Sequence, residues 1–507
     1  MSLFYHSTRG FSEPVTSKQA ILEGIAPDGG LFVSDGVLTP CLDPAQLLAN
    51  DYDANARLVL GKQLPDFSEQ EVAGCVRRAY TGTFDSPAVT PVTAVGDDWL
   101  LELFHGPTSA FKDVALQMLP QLMGVARQGD GREVMVVTAT SGDTGKAALA
   151  GFADKPGTGV CVFYPDGGVS DVQRLQMVTQ AGDNVAVCAV SGTFDDAQTQ
   201  VKRAFGDRAL AERLAEKGQV LSSANSINVG RLAPQVTYYL DAYLQLVRTG
   251  ALELGDELDF FVPTGNFGDV LAGYYAKRMG LPVGRLVVCS NANDVLYDFL
   301  RTGVYDRRRD FHRTISPSMD ILVSSNLERL LYLASDGDVE LVSSLMRDLA
   351  EKGVYTVPER VMAQVRASFS CGRADDERTR ATIGRTWREE GVLLDPHTGV
   401  AKAVMDETEP SGHVRVALAT ASPFKFSRSV LQAIGEDDSS LSDFQCMDVL
   451  AERTGLTPPA QLSDLREREV RFTDVIAPEE VPAYVEQACA RVFGTAREVA
   501  ASSEVCE

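Results

Sequence analysis

Four short stretches of this sequence carry residue types whose spacing could do chemistry. The first, HGPTSAFKD (105–113), sets a single lysine, Lys112, at the start of a helical segment. A lysine performs carbonyl chemistry when a pocket lowers its pKa and exposes the neutral amine. Spacing alone does not separate such a lysine from a solvated first-turn charge, so the other three stretches matter. In VPTGNFGD (262–269) an apolar strand runs into a turn with two glycines and then a helix beginning near Asp269. That junction offers free backbone N–H groups and the positive end of a helix dipole, a site for phosphate, with Gly265 and Gly268 admitting close approach and Asn266 adding a side-chain donor. It lacks the P-loop lysine and the dinucleotide glycine spacing, which argues against nucleotide binding. TSGDTG (140–145) gathers hydroxyls and N–H groups beside Asp143, as a site for a small carboxylate needs. Its plain alternative is a turn capped by Ser141 or Asp143. ALATASP (417–423) ends an apolar strand in the hydroxyls of Thr420 and Ser422, where a parallel sheet opens its ligand crevice, or simply stops at Pro423.

These stretches sit at the ends of strands. From about residue 98 the chain alternates β-branched runs with helical segments, the pattern of an α/β fold. Six strands are expected at 133–140, 160–164, 184–190, 259–264, 285–291 and 415–421, most of them apolar throughout, as parallel strands covered on both faces are. The expected helix after the third strand starts at SGTFDDAQ, with Asp195 and Asp196 in its first turn. Residues 1–90 form a separate cap with a tight turn at APDGG (26–30) and helical periodicity over 70–80. Residues 431–507 form a helical appendage that opens with the acidic stretch 435–443. The catalytic core is then 91–430, its smaller lobe roughly 105–235.

A formal net charge of -23 repels nucleic acid and anionic membranes, so any anion site must be built locally. Nine cysteines without a CxxC pair fit a reducing, cytoplasmic setting better than a disulfide framework or a zinc site. The opening MSLFYHSTRG has no secretory leader pattern, and no run approaches ~18 apolar residues, the length a membrane helix needs. The five histidines show no metal-ligand spacing; His397, in DPHTG, reads as a hydrogen-bonding loop or core residue, and Arg9 as a crevice residue or half of a structural ion pair.

The four stretches occur in order with YHSTRG (5–10), APDGGLFV (26–33), NSINVGRLAPQ (225–235), TISPSMDILVSSNLERLL (314–331) and LLDPHTGVA (393–401). Together they resemble threonine synthase, of the longer type with an N-terminal cap, within the fold type II pyridoxal-phosphate enzymes. The resemblance implies a tryptophan synthase β-like fold with two parallel-sheet α/β lobes. It implies that Lys112 carries the cofactor, that Gly265, Asn266, Phe267, Gly268 and Asp269 hold its phosphate, and that Thr420 meets the pyridine nitrogen. Ser141, Gly142 and Thr144 would bind the substrate carboxylate, with Asp143 near the ring hydroxyl. Two anions at hydrogen-bond distance cannot both persist in a dry pocket, so Asp143 and that hydroxyl are expected to share a proton.

The implied reaction turns O-phospho-L-homoserine and water into L-threonine and phosphate, with a monomer or homodimer as the working unit. One departure stands out. Many family members carry a lysine within YPxGKVS, whereas this chain reads YPDGGVS (164–170), with Gly168 at the lysine position. Lys146 is expected to face the crevice and replace it, with Ser170, Asn225 and Arg231 as further donors to the substrate phosphate. The alternatives are a phospholyase that releases 2-oxobutyrate, a β-replacement enzyme using another nucleophile, and a catalytically silent homologue, against which Lys112, the glycine loop and Thr420 weigh.

Overall fold

Two largely parallel sheets, each wrapped by helices, organise the chain in the computed structural model, which describes residues 4–11, 13–129, 131–436 and 439–504. Residues 1–3, on which the leader reading partly rests, and residues 437 and 438 of the acidic stretch lie outside the described residues. The six-stranded sheet runs Phe369–Arg373, Val283–Ser290, Leu258–Pro263, Val414–Ala419, Asp98–Glu102, Val92–Val95, parallel except for the last pair. The five-stranded sheet is parallel throughout: Val475–Ile476, Val185–Val190, Thr158–Pro165, Glu133–Ala139, Gln219–Ser222. All six strands expected from the apolar runs are present, within one or two residues. Every residue of Thr158–Pro165, Val185–Val190 and Leu258–Pro263 is buried, as two-sided helix cover requires. The strands that the sequence did not disclose are short or polar. Phe369–Arg373 reads FSCGR and keeps only its first residue buried.

Helix Lys112–Ala126 is central, with almost every residue buried. It contains Pro120, which has no N–H to give to the carbonyl of Leu116. Helix Asp143–Phe152 uses that interruption. A Cβ placed on Gly151 would lie 1.9 Å from the Leu116 oxygen, so glycine lets the two helices close to backbone contact at this point. The crossing fixes the helix that begins with Lys112 against the helix that begins with Asp143.

In the cap, helix Glu69–Tyr80 starts at a capping box formed by Ser68 and Glu71, and the turn after Ala26 closes through the Gly29 N–H, 2.8 Å from the Ala26 oxygen. The cap is fastened by polar links as well as by packing. Asn55 donates to Asp241 at 2.9 Å, and Gln63 donates to the Ala233 carbonyl at 3.2 Å. The fully buried Arg329 joins the Phe32 carbonyl of the cap to Asn326 and to the Ile227 carbonyl.

The C-terminal segment, expected as a helical appendage, adds one short strand to its helices. Helix Asp443–Thr454 packs Cys446, Met447 and Leu450 into a cluster with Phe424, Val430 and Leu431 on the large lobe. The chain then crosses to the small lobe, adds the edge strand Val475–Ile476, and lays Val481, Val485 and Cys489 against the cluster containing Cys161 and Phe163. Among the described residues no helix is long and apolar enough to cross a membrane.

Candidate active site

Lys112 is the first residue of its helix, and the loop before it is stitched to the end of strand Val414–Ala419. The Phe111 N–H donates to the Thr420 carbonyl at 2.8 Å, the Ser422 N–H donates to the Ser109 carbonyl at 3.1 Å, and Ala110 bridges Ala421. Asp113 folds the loop back by accepting from the Thr108 N–H at 2.8 Å and its hydroxyl at 2.7 Å. Two stretches distant in sequence thus become one wall. An ammonium at a helix N-terminus opposes the dipole. Burial, together with Lys425 and Arg231 and against the pull of Asp143, lowers Lys112 to about 8. A working fraction of neutral amine follows.

Lys112 Nζ donates to Ser318 Oγ at 3.1 Å, and Ser318 donates on to Asp143 Oδ2 at 3.0 Å, which lies 3.8 Å from the lysine. The other oxygen of Asp143 is 2.8 Å from Lys425 Nζ and accepts from Gln173 at 3.1 Å. Burial by itself would push the Asp143 carboxyl up, but Lys425 and then Lys112 outweigh it and hold the group well below the usual carboxylate range. Ser318 is held from behind: its N–H donates to His397 Nε2 at 3.1 Å, and Nδ1 of the same ring meets Asp395 at 2.7 Å. With Nε2 accepting, the ring proton sits on Nδ1.

Across the cavity, strand Leu258–Pro263 gives way to the Gly265–Gly268 turn and helix Gly268–Arg278. Phe267 caps that helix in the left-handed region, φ 65°, and a Cβ on Gly265 would lie 2.9 Å from the Ser318 carbonyl, so the turn is a tight cradle open at a helix N-terminus. Asp269 accepts from Tyr238 at 2.5 Å and Tyr239 at 3.0 Å through one oxygen, while Oδ2 is buried without a partner among the described residues. Burial raises Asp269 to about 6 against these two hydrogen bonds. The cavity between Lys112 and the cradle measures about 550 Å³ and also reaches Ser141, Thr144, Asn225, Arg231 and Thr420. Its charged lining is Lys112, Lys202, Arg9, Arg231 and Arg307 against Asp269, Asp320 and Glu328, a local cation excess on an acidic protein. Arg9 is neutralised by Glu328, which it grips through Nε at 2.9 Å and Nη2 at 2.7 Å. Arg231 is not: it donates one nitrogen to the Ala224 carbonyl at 2.6 Å and buries Nε without a partner.

Comparison with known proteins decides what kind of site this is. Residues 4–80 match the family model for the threonine synthase N terminus, 89–359 that for pyridoxal-phosphate dependent enzymes, and 398–485 that for the threonine synthase C-terminal region. Threonine synthase of Pseudomonas aeruginosa is 38% identical, the match covering 95% of this chain and 98% of that protein. The chain belongs to the threonine synthase family. Threonine synthase-like 1 of Homo sapiens is also 38% identical, over 82% of this chain, and the match spans 58% of that longer protein. Among solved structures, the pyridoxal-phosphate-bound threonine synthase of Brucella melitensis superposes with a TM-score of 0.85 at 37% identity, covering 96% of this chain and 99% of that one. The yeast threonine synthase gives 0.85 at 32%, with coverage of 97% and 99%.

The site fits the cofactor of the threonine synthase family. Lys112 offers the amine, the Gly265–Gly268 cradle offers N–H groups to a phosphate, Thr420 lines the cavity, and Asp143 lies 3.8 Å from the lysine. Gly142, not Ser141 or Asp143, occupies the cap position, at φ 135°, and a Cβ there would lie 2.5 Å from the Gln173 amide; Thr140 Oγ1 instead accepts from the N–H groups of Gly142 and Gly145, both at 2.9 Å.

Three expectations need correction. Lys146 does not face the crevice: it is buried behind the helix with Nζ 2.5 Å from Gln180 Oε1, outside the cavity lining. Ser170 is occupied in capping helix Asp171–Val178. Asp143 and a cofactor hydroxyl need not share a proton to relieve like charge, because Lys425 already balances the carboxylate. Sequence reasoning missed Lys425 and Ser318; it read His397 as a hydrogen-bonding core or loop residue, as found, but not its partner Asp395. The available signal for Lys425 was a lone lysine in the otherwise apolar run SPFKF.

Proposed function

We propose that this protein converts O-phospho-L-homoserine and water to L-threonine and phosphate. The observation that carries this reading is Arg231, a buried guanidinium without a carboxylate partner among the described residues, lining the same cavity as the low-pKa Lys112. Burial lowers Arg231 to about 10, so the cost of keeping it there is met when an anion arrives. Bound pyridoxal phosphate supplies an electron sink that stabilises negative charge next to the substrate amine.

The chain's own residues do the rest. Lys112, partly neutral near pH 8, takes protons from Cα and then Cβ of the substrate, and protons return at Cγ once phosphate has left and at Cα once water has added at Cβ. Ser318 holds Lys112 Nζ in place, while Asp143 and Lys425 set the field around it. Thr420, a neutral hydroxyl, meets the pyridine nitrogen. Ser141, Gly142 and Thr144, at the start of helix Asp143–Phe152, take the substrate carboxylate. Arg231 and Asn225 take the substrate phosphate, and Arg231 supports its departure as a dianion. The excess of acidic residues supports a small-molecule enzyme without a nucleic-acid partner, and the cysteine usage supports the cytoplasm; the working unit is a monomer or homodimer.

The test is a single incubation of cofactor-loaded protein with O-phospho-L-homoserine, quantifying threonine, 2-oxobutyrate and phosphate. Threonine equal to phosphate is expected. Phosphate matched by 2-oxobutyrate would replace the proposal with a phospholyase, and no turnover would point to another substrate.

A further inference from the structure

Lys425 stands out among the charged groups around Lys112 because its side chain is 0% exposed and it is not among the residues that line the cavity. It spends Nζ on Asp143 Oδ1 at 2.8 Å and on the Thr108 carbonyl at 2.9 Å. The Thr108 carbonyl already accepts from Gln176 at 3.2 Å, so Lys425 is not needed to satisfy it. A buried ion pair is also a costly way to fasten two segments, since apolar residues of similar volume usually do so as well. What an apolar residue cannot supply is the positive charge. The two lysines take opposite oxygens of one carboxylate, with Ser318 between Lys112 and Oδ2.

We propose that Lys425 is a positioning residue that acts on the cofactor lysine through Asp143, neutralising the carboxylate so that it does not hold Lys112 as a fixed ammonium. The proposal rests on the reading of Lys112 as the cofactor lysine. The remaining charged or titratable groups that face this cluster are Arg231 beside Lys112, Asp113 beside both lysines, Lys146 beside Lys425, and His397 beside Asp143. None of these forms an ion pair with Asp143 within 4.0 Å among the described residues, so Lys425 and Lys112 are its two cations.

Charge balance makes the idea testable. Lys425→Met leaves the cluster one positive charge short, Asp143→Asn leaves it one negative charge short, and the double variant restores neutrality. The measurement is the pH midpoint of the bound cofactor's visible absorption band in the holoenzyme. Lys425→Met is expected to raise the midpoint by about one pH unit, a tenfold change in proton affinity, and Asp143→Asn to lower it by a similar amount. The double variant should return close to the wild-type midpoint, and Lys425→Arg should stay there. A purely structural lysine predicts otherwise: an unmoved midpoint in Lys425→Met alongside a shifted one in Asp143→Asn would overturn the proposal. Should Lys425→Met fail to fold, a wild-type midpoint in Asp143→Asn would overturn it equally. Borohydride reduction followed by peptide mass mapping checks the underlying reading separately, because failure to trap the cofactor on Lys112 would remove that reading and this inference with it.

Discussion

Single side chains divide the anion chemistry of this site between an arginine that the cavity uses and a lysine that it does not. Arg231→Gln is expected to raise KM for O-phospho-L-homoserine tenfold or more and to lower kcat/KM by about a hundredfold, because the lost interaction serves both bound and departing phosphate; steady-state kinetics check it. Lys146→Met should leave KM unchanged and the melting temperature equal or higher, since burial, aided by Arg468, lowers that lysine to about 7 and its charge costs the fold. A tenfold rise in KM would restore Lys146 to the crevice. These opposite outcomes show where residue types were legible. Lys112, Thr420 and the Gly265–Gly268 turn stand at strand ends, where a parallel sheet must open, and the cavity collects them. Lys146 follows the cavity-lining Thr144 by two residues, and the helical twist of about 100° per residue turns it roughly 200° from Thr144 to the buried side. Lys425 and Ser318 were hidden for another reason: their partners lie 282 and 175 residues away in the chain, and nothing local announces them.

The helices and strands explain why the site keeps its geometry. The Gly151 crossing sets the distance between the two helices that begin at Lys112 and Asp143. Gly151→Ala improves intrinsic helix propensity by about 1 kcal/mol, yet it should destabilise the protein by roughly 2 kcal/mol, because the added methyl meets the Leu116 carbonyl and the helices must part. Thermal unfolding measures the loss, and a shifted cofactor band would report the displaced lysine. The apolar strands were legible because two-sided burial leaves no polar residue to confuse the pattern. The Gly151 crossing was not, since a glycine and a proline in two separate helices each read as a local weakness until the structure puts them together.

For the molecule as a whole, the cap is tied to the core through a carboxyl group that the fold prefers neutral. Burial raises Asp241 to about 6 despite hydrogen bonds from Gln245 and Asn55. A carboxyl raised in this way binds more protons folded than unfolded between pH 4 and 6, so stability falls as pH rises through that window and is flat above it. The wild-type stability minus that of Asp241→Asn should therefore drop by about 3 kcal/mol from below pH 4 to above pH 6, and an equal difference at both ends would refute the assignment. The order of the strands carries a last consequence. The small lobe's sheet is finished by Val475–Ile476, added beside Val185–Val190 by a segment made nearly three hundred residues later. During synthesis the backbone N–H and C=O groups of Val185–Val190 thus wait as an open edge, able to pair with another nascent copy, until Val475–Ile476 has been made. Truncation before Val475 should leave that edge permanently open and send the protein into aggregates, whatever the state of its active site.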